Sequence, residues 1–228
     1  DLEIRRIFLP IDAPTWHPWV TGEALDGVRP QKAPVEESLT PLIKRCFDHD
    51  SLRAGQYRGI VAALKGTDSL VLLPTGHGKS LIFQIAALVL PGATLVVEAW
   101  RALIDDQVRV LQDRGFSRVV AIHKDRQLDG NLLSTLIIYV APERLYVESF
   151  QKPLNQLLRQ VGLDLLVIDE AHAVSEAGHS FRPSYLGLVD RIAERAQAAS
   201  RNRPPTLALT ATAANIVIRD IGGILNIK

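Results

Sequence analysis

From residue 51 onward, short apolar runs alternate with longer stretches in which apolar residues recur at helical spacing. Tyr57, Ile60, Val61 and Leu64 share one helical face, which predicts a helix over about 53–65 that Gly66 stops. A strand over 69–73, a glycine-bearing loop and a helix over 79–90 follow, and Pro91-Gly92 ends that helix. The pattern then predicts a strand at 93–97, a helix at about 101–113 stopped at Gly115, and strands near 118–122 and 136–140. Helices around 142–148 and 152–160, a strand at 164–168, helical stretches flanking Phe181, a strand at 206–209 and a last helix from about 213 complete it. Strands alternating with helices predict an α/β fold, a parallel sheet covered on both faces. Ligands of such sheets sit at the carboxyl ends of the strands.

Two strand ends carry candidate chemistry. The first reads Leu73-Pro74-Thr75-Gly76-His77-Gly78-Lys79-Ser80, a loop that restarts as a helix. Gly76 and Gly78 lack a Cβ, so the backbone can approach an anion closely and turn its N–H groups toward it. The helix adds its positive end, Lys79 can reach β/γ-phosphates, and the Ser80 hydroxyl can hold Mg²⁺. The strict phosphate-loop pattern wants Gly where this chain has Leu73. A dinucleotide-binding turn would need a third Gly where Leu81 stands.

The second strand end, Leu165 to Ile168, delivers Asp169 and Glu170. Alone, this pair is read as capping a helix through Ala171 to Val174. With Lys79 and Ser80 upstream, Asp169 becomes the expected partner of the Ser80-bound metal, and Glu170 the group that orients or deprotonates water. His172 and His179 have no Cys or carboxylate spacing for a zinc site.

Composition narrows the class. At 228 residues and 47% hydrophobic, the chain can bury one large core. The single Cys46 excludes an intrachain disulfide and fits a reducing compartment, so a cytoplasmic setting is expected, nucleoid-associated if bacterial and nuclear if eukaryotic. No apolar run reaches membrane-spanning length, so no membrane partner is expected. A net charge of +1 makes no compositional case for nucleic acid, which must rest on local residues. Residues 1–50 differ from the rest. They hold six of the thirteen Pro, at positions 10, 14, 18, 30, 34 and 41, together with Trp16 and Trp19. They are expected to form a Pro-rich N-terminal arm, the Trp cluster packing on a domain over 51–228. The chain starts at Asp1 and contains no Met, so a piece of a longer protein is expected.

Several segments stand in a familiar order: Arg53-Ala54-Gly55-Gln56, Pro74 to Ser80, Asp106-Gln107-Val108, Tyr139-Val140-Ala141-Pro142-Glu143-Arg144-Leu145, Asp169-Glu170-Ala171-His172, Gly178-His179-Ser180-Phe181-Arg182-Pro183 and Leu209-Thr210-Ala211-Thr212-Ala213. From about residue 50 to 228 the chain resembles the first RecA-like lobe of RecQ-type superfamily 2 DNA helicases. The resemblance implies a RecA-like P-loop NTPase lobe using ATP and Mg²⁺. It further implies Gln56 reading the adenine edge with Arg53 beside it, Thr75, Gly76, His77, Gly78, Lys79 and Ser80 holding phosphates, and Lys79, Asp169 and Glu170 as catalytic residues. His179, Phe181 and Arg182, in an aromatic-rich loop, and Thr210 and Thr212 are implied in DNA binding or coupling, on single-stranded DNA or a duplex junction. The second lobe with its arginine finger, worth about 10³–10⁵ in turnover, is not in this chain, which alone is expected to bind ATP and hydrolyse it weakly.

This sequence departs from the family at several points. Ala177 stands where relatives carry Trp, and Glu98-Ala99-Trp100 where they read Ser-Pro-Leu. Glu98 is expected either to repel phosphate near a DNA path or to be a solvated strand end. The stretch from Ile122 to Leu136 is short for the family. An RNA helicase of the same superfamily, which Asp-Glu-Ala-His alone permits, and an ATP-gated nucleic-acid-binding module in a DNA-modification or defence complex are the alternative readings.

Overall fold

A computed structural model describes residues 35–128, 132–175, 182–211 and 214–227. The expectations for the Trp16–Trp19 arm, for Ala177, His179, Phe181 and Thr212, and for the centre of the short 122–136 stretch lie outside the described residues.

Six parallel strands form the sheet: β1 Ser69–Leu72, β2 Ala93–Val97, β3 Val119–Ile122, β4 Ile137–Val140, β5 Leu163–Ile168 and β6 Thr206–Thr210, in the order β1-β6-β5-β2-β4-β3. The helices between them are α1 Glu36–Phe47, α2 Gln56–Lys65, α3 Lys79–Val89, α4 Arg101–Asp113, α5 Glu148–Gln160, α6 Leu188–Ala198 and α7 Asn215–Ile224. Strand side chains point alternately to opposite faces, and two buried clusters result. Val96, Ile137, Tyr139, Val167, Leu207 and Leu209 meet side chains of α1 to α4 on one face. Leu95, Val97, Ile138, Val140, Ile168 and Ala208 meet those of α5 to α7 on the other. The near-continuous apolar runs of the central strands are what a sheet buried on both faces requires.

The predicted elements recur with small boundary shifts. Gly66 ends α2 in the left-handed region at φ 74°. The helix expected from 142 is a 3-10 turn, Pro142–Tyr146, and α5 starts at Glu148 rather than 152, taking in Ser149 and the buried Phe150 ahead of Pro153. Within the segment expected as an arm, α1 sets Leu39, Leu42, Ile43 and Phe47 into the core, and Phe47 stacks on Phe116 at 5.8 Å. Pro41, the sixth residue of α1, removes one amide donor from the helix without breaking it. No helix among the described residues is long and apolar enough to cross a membrane.

β6 lies between β1 and β5, so the loops after β1 and β5 emerge on either side of Thr210, at the carboxyl edge of the sheet. That placement generates the site.

Candidate nucleotide site

The loop after β1 is shaped by Gly76 at φ 76° and Gly78 at φ 71°, a region that side chains with a Cβ enter only at a cost. Gly78 is the N-cap of α3, whose first turn holds no acidic residue, so the positive end of the helix is left for an anion. Leu73, the departure from the strict pattern, is buried against Gly55. A Cβ at Gly55 would come within 2.9 Å of Leu73 Cδ2. The glycine absent from the start of the loop is thus matched by one in the segment packed against it.

That segment holds the loop from outside. Gln56, 2% exposed, donates through Nε2 to the carbonyls of His77 at 2.8 Å and Gly78 at 2.9 Å, and its Oε1 accepts the Arg53 amide at 2.7 Å. The Arg53 guanidinium donates to the Gly76 carbonyl. Both amide hydrogens of Gln56 are committed to the loop. An adenine contact of the kind the resemblance implies therefore uses the second lone pair of Oε1 or replaces one of these bonds.

The two clusters meet. Lys79 Nζ lies 3.9 Å from Glu170 Oε1. Asp169 is buried at the end of β5, where its Oδ1 accepts the Glu170 amide at 3.0 Å and its Oδ2 accepts Gln107 Nε2 at 3.3 Å. Burial raises its pKa, and the Glu170 charge adds to this. The Glu170 amide, Gln107 and Lys79 act in the opposite direction. Glu170 adopts φ 46°, which bends the chain directly after the strand. It is the N-cap of the 3-10 turn Ala171–Val174, yet its side chain makes no capping bond. The carboxylate instead meets His172, Oε2 to Nδ1 at 3.2 Å, and the same ring nitrogen lies 3.3 Å from Thr210 Oγ1. His172, given no role from the sequence, thus bridges the end of β5 to the end of β6.

Three further residues have roles that the sequence alone did not assign. Gln84 of α3 donates to the Tyr139 hydroxyl at 3.4 Å, which donates to Gln107 Oε1 at 3.1 Å, and Gln107 holds Asp169. This part-buried chain links the phosphate-loop helix to the carboxylate through β4 and α4. Gln107 and Tyr139 stood within the recognised segments, but the pairings join residues 55, 32 and 62 positions apart.

Glu98 overturns both expectations made for it. It is 0% exposed at the end of β2, folded back so that Oε1 accepts the Trp100 amide at 2.8 Å, while Oε2 has no hydrogen-bond partner. Burial first, then the Asp169 charge, push its pKa from 4.5 up to about 8. Between those values the folded state keeps a proton that the unfolded chain has released, so Glu98 makes stability fall as pH rises from 4.5 to about 8. Glu98→Gln is neutral throughout and is expected to flatten this slope, each pH unit being worth at most about 1.4 kcal/mol. Urea unfolding of both proteins from pH 5 to 9 measures it, with the variant gaining on the parent as pH rises.

Arg182, the described residue of the aromatic-rich loop, stands apart from the phosphate cradle. Its guanidinium lies 4.6 Å from the Trp100 ring centroid and 3.4 Å from Glu143 Oε1, and its amide donates to the Ala173 carbonyl at 2.9 Å. The site residues Arg53, Gln56, Gly76, His77, Gly78, Lys79, Asp169, Glu170 and Thr210 are therefore linked by the contacts above. Thr75 and Ser80 belong to the same loop and helix start.

A parallel sheet with a phosphate loop after β1 and a carboxylate pair after β5, joined through Lys79 and Glu170, defines a P-loop nucleotide-binding lobe of RecA-like architecture. Residues 53–221 match the DEAD/DEAH box helicase family, and the chain belongs to it. It is 38% identical over 194 residues to the ATP-dependent DNA helicase RecQ of Haemophilus influenzae, covering 82% of this chain and 30% of that protein. Similarity to the probable ATP-dependent DNA helicase RecS of Bacillus subtilis is 36% over 199 residues, covering 83% and 38%. For the ATP-dependent DNA helicase Q5 of Rattus norvegicus it is 37% over 215 residues, covering 89% and 22%. The chain thus spans well under half the length of these relatives. Its fold is similar to that of the DUF1998 helicase MrfA, solved bound to DNA and AMPPNP, with a TM-score of 0.63 at 20% identity, covering 84% of this chain and 29% of that one.

Proposed function

We propose that this chain is the first RecA-like lobe of a RecQ-like, ATP-dependent DNA helicase, in which ATP binding and hydrolysis between two lobes drive movement along DNA. The approach of Lys79 to Glu170 beside the buried Asp169 carries this reading. The similarity to three proteins named as ATP-dependent DNA helicases supports the choice of DNA.

In this reading the triphosphate lies on the loop N–H groups and the start of α3, with Lys79 on its outer phosphates. Ser80 and Asp169 would hold Mg²⁺. The described residues contain no cluster of three or more His, Cys, Asp or Glu suited to a metal. A carboxylate and a hydroxyl are hard oxygen donors of the kind that Mg²⁺ takes beside nucleotide phosphates. Bound there, Mg²⁺ would supply positive charge against the transferring phosphoryl group. Glu170 orients the attacking water and takes its proton, while His172 keeps the carboxylate directed. Loss of the γ-phosphate changes the charge facing Glu170, and the Glu170–His172–Thr210 contacts carry that change to the end of β6. A partner lobe supplies the arginine that completes the site.

ATP turnover by the full-length protein, measured with single-stranded DNA and with RNA of matched sequence, tests the assignment. Stimulation by DNA is expected, and stimulation by RNA alone overturns it.

A further inference from the structure

On the same carboxyl edge of the sheet, beside the nucleotide site, a cleft of about 880 Å³ runs between the start of α4, the turn after β3 and the 3-10 turn after β4. Trp100 forms part of its wall and keeps 42% of its surface exposed. The core does not need this indole, yet it is held from two directions. Glu98 fixes the Trp100 amide, and the Arg182 guanidinium sits over the ring.

The cleft around the ring suits a strand of phosphates. Arg101, Lys124, Arg144 and Arg182 line it together with Asp105, Asp125 and Glu143, an excess of one cation. Arg101 pairs with Asp125 and Arg182 with Glu143, but Lys124 and Arg144 enter no ion pair among the described residues. Arg144 Nε is buried and unpartnered. The first turn of α4 carries no acidic residue, so its positive end adds to the field.

From this juxtaposition we infer that Trp100 is a stacking platform for one unpaired nucleobase of single-stranded DNA, with Arg182 holding the ring and the neighbouring cations meeting the flanking phosphates. The inference rests on the DNA reading above and adds the residue that grips the base. Duplex DNA keeps its bases stacked inside the helix, so only an unpaired base presents a free face to the ring. Stacking on an aromatic ring is indifferent to base identity, as a strand-tracking lobe requires.

The test uses the full-length protein with two fluorescent strands, an oligothymidylate and an abasic strand of the same length and charge. The wild type is expected to bind the base-bearing strand more tightly than the abasic one. Trp100→Ala is expected to weaken binding of the base-bearing strand by about 5- to 150-fold, the range of one lost stacking contact. It leaves abasic binding and the salt dependence unchanged, because the phosphate contacts remain. Trp100→Phe restores most of the difference between strands, and the thermal shift produced by ATP shows that the variants are folded. A Trp100→Ala protein that still prefers the base-bearing strand as strongly as the wild type overturns the inference while leaving the DNA assignment standing. A wild type that binds neither strand overturns both.

Discussion

Lys79→Ala is expected to remove about half or more of the stabilisation that ATP with Mg²⁺ confers on this chain. The ammonium sits at the start of α3, 3.9 Å from Glu170, where a triphosphate on the loop would receive it. A charge-assisted hydrogen bond of this kind is worth about 1.5–3 kcal/mol, so its loss weakens binding by about 10- to 150-fold. Ligand at 100 times its dissociation constant stabilises the wild type by about 2.7 kcal/mol. For a chain of this size that raises the melting temperature by about 5–10 °C. At the same ATP concentration a variant weakened over that range retains about 0.3–1.4 kcal/mol, and shifts by about 1–5 °C. Differential scanning fluorimetry with and without MgATP reads the difference, and an undiminished shift in the variant would remove Lys79 from the site. The apo variant also loses the Glu170 contact, so each protein is compared with its own unliganded state.

Glu170→Gln separates binding from chemistry. The amide keeps the shape of the side chain and its reach to His172, and it removes a negative charge beside Asp169. MgATP binding is expected to persist, with a thermal shift at least as large as that of the wild type. Turnover by the full-length protein with DNA is expected to fall by about 10²–10⁴, the usual contribution of a positioned general base. Steady-state phosphate release measures it. A variant with full turnover would show that Glu170 acts only as a structural partner of His172. The pair of variants is informative together, because one weakens the hold on the ligand and the other leaves it bound without reaction.

The strands were legible because a parallel sheet buried on both faces leaves long apolar runs, and β2 and β5 each show one. The two ends of the nucleotide site were legible because backbone chemistry demands their residues: glycine where φ is positive, lysine and serine at a helix start, carboxylates at a strand end. The α1 helix was hidden by Pro41 and by the Pro-rich stretch before it, although Leu39, Leu42 and Ile43 carry the helical period. Glu98 was misjudged because a charged residue after an apolar strand is ordinarily solvated, and only the fold shows its carboxyl turned back onto the Trp100 amide. The Gln84–Tyr139–Gln107–Asp169 chain could not be read from spacing, since three different crossovers bring its members together.

In the function proposed above, residues 76–80 and 169–170 grip one magnesium-bound polyphosphate. A crystal structure of the protein with a non-hydrolysable ATP analogue and Mn²⁺ in place of Mg²⁺ tests it, because the anomalous signal locates the ion independently of the nucleotide. One metal peak is expected between the Ser80 hydroxyl and the Asp169 carboxylate, directly or through one water, with the phosphates on the N–H groups of the Gly76–Ser80 loop. A nucleotide bound elsewhere, or a metal with neither Ser80 nor Asp169 in its coordination sphere or bonded to its waters, would contradict it.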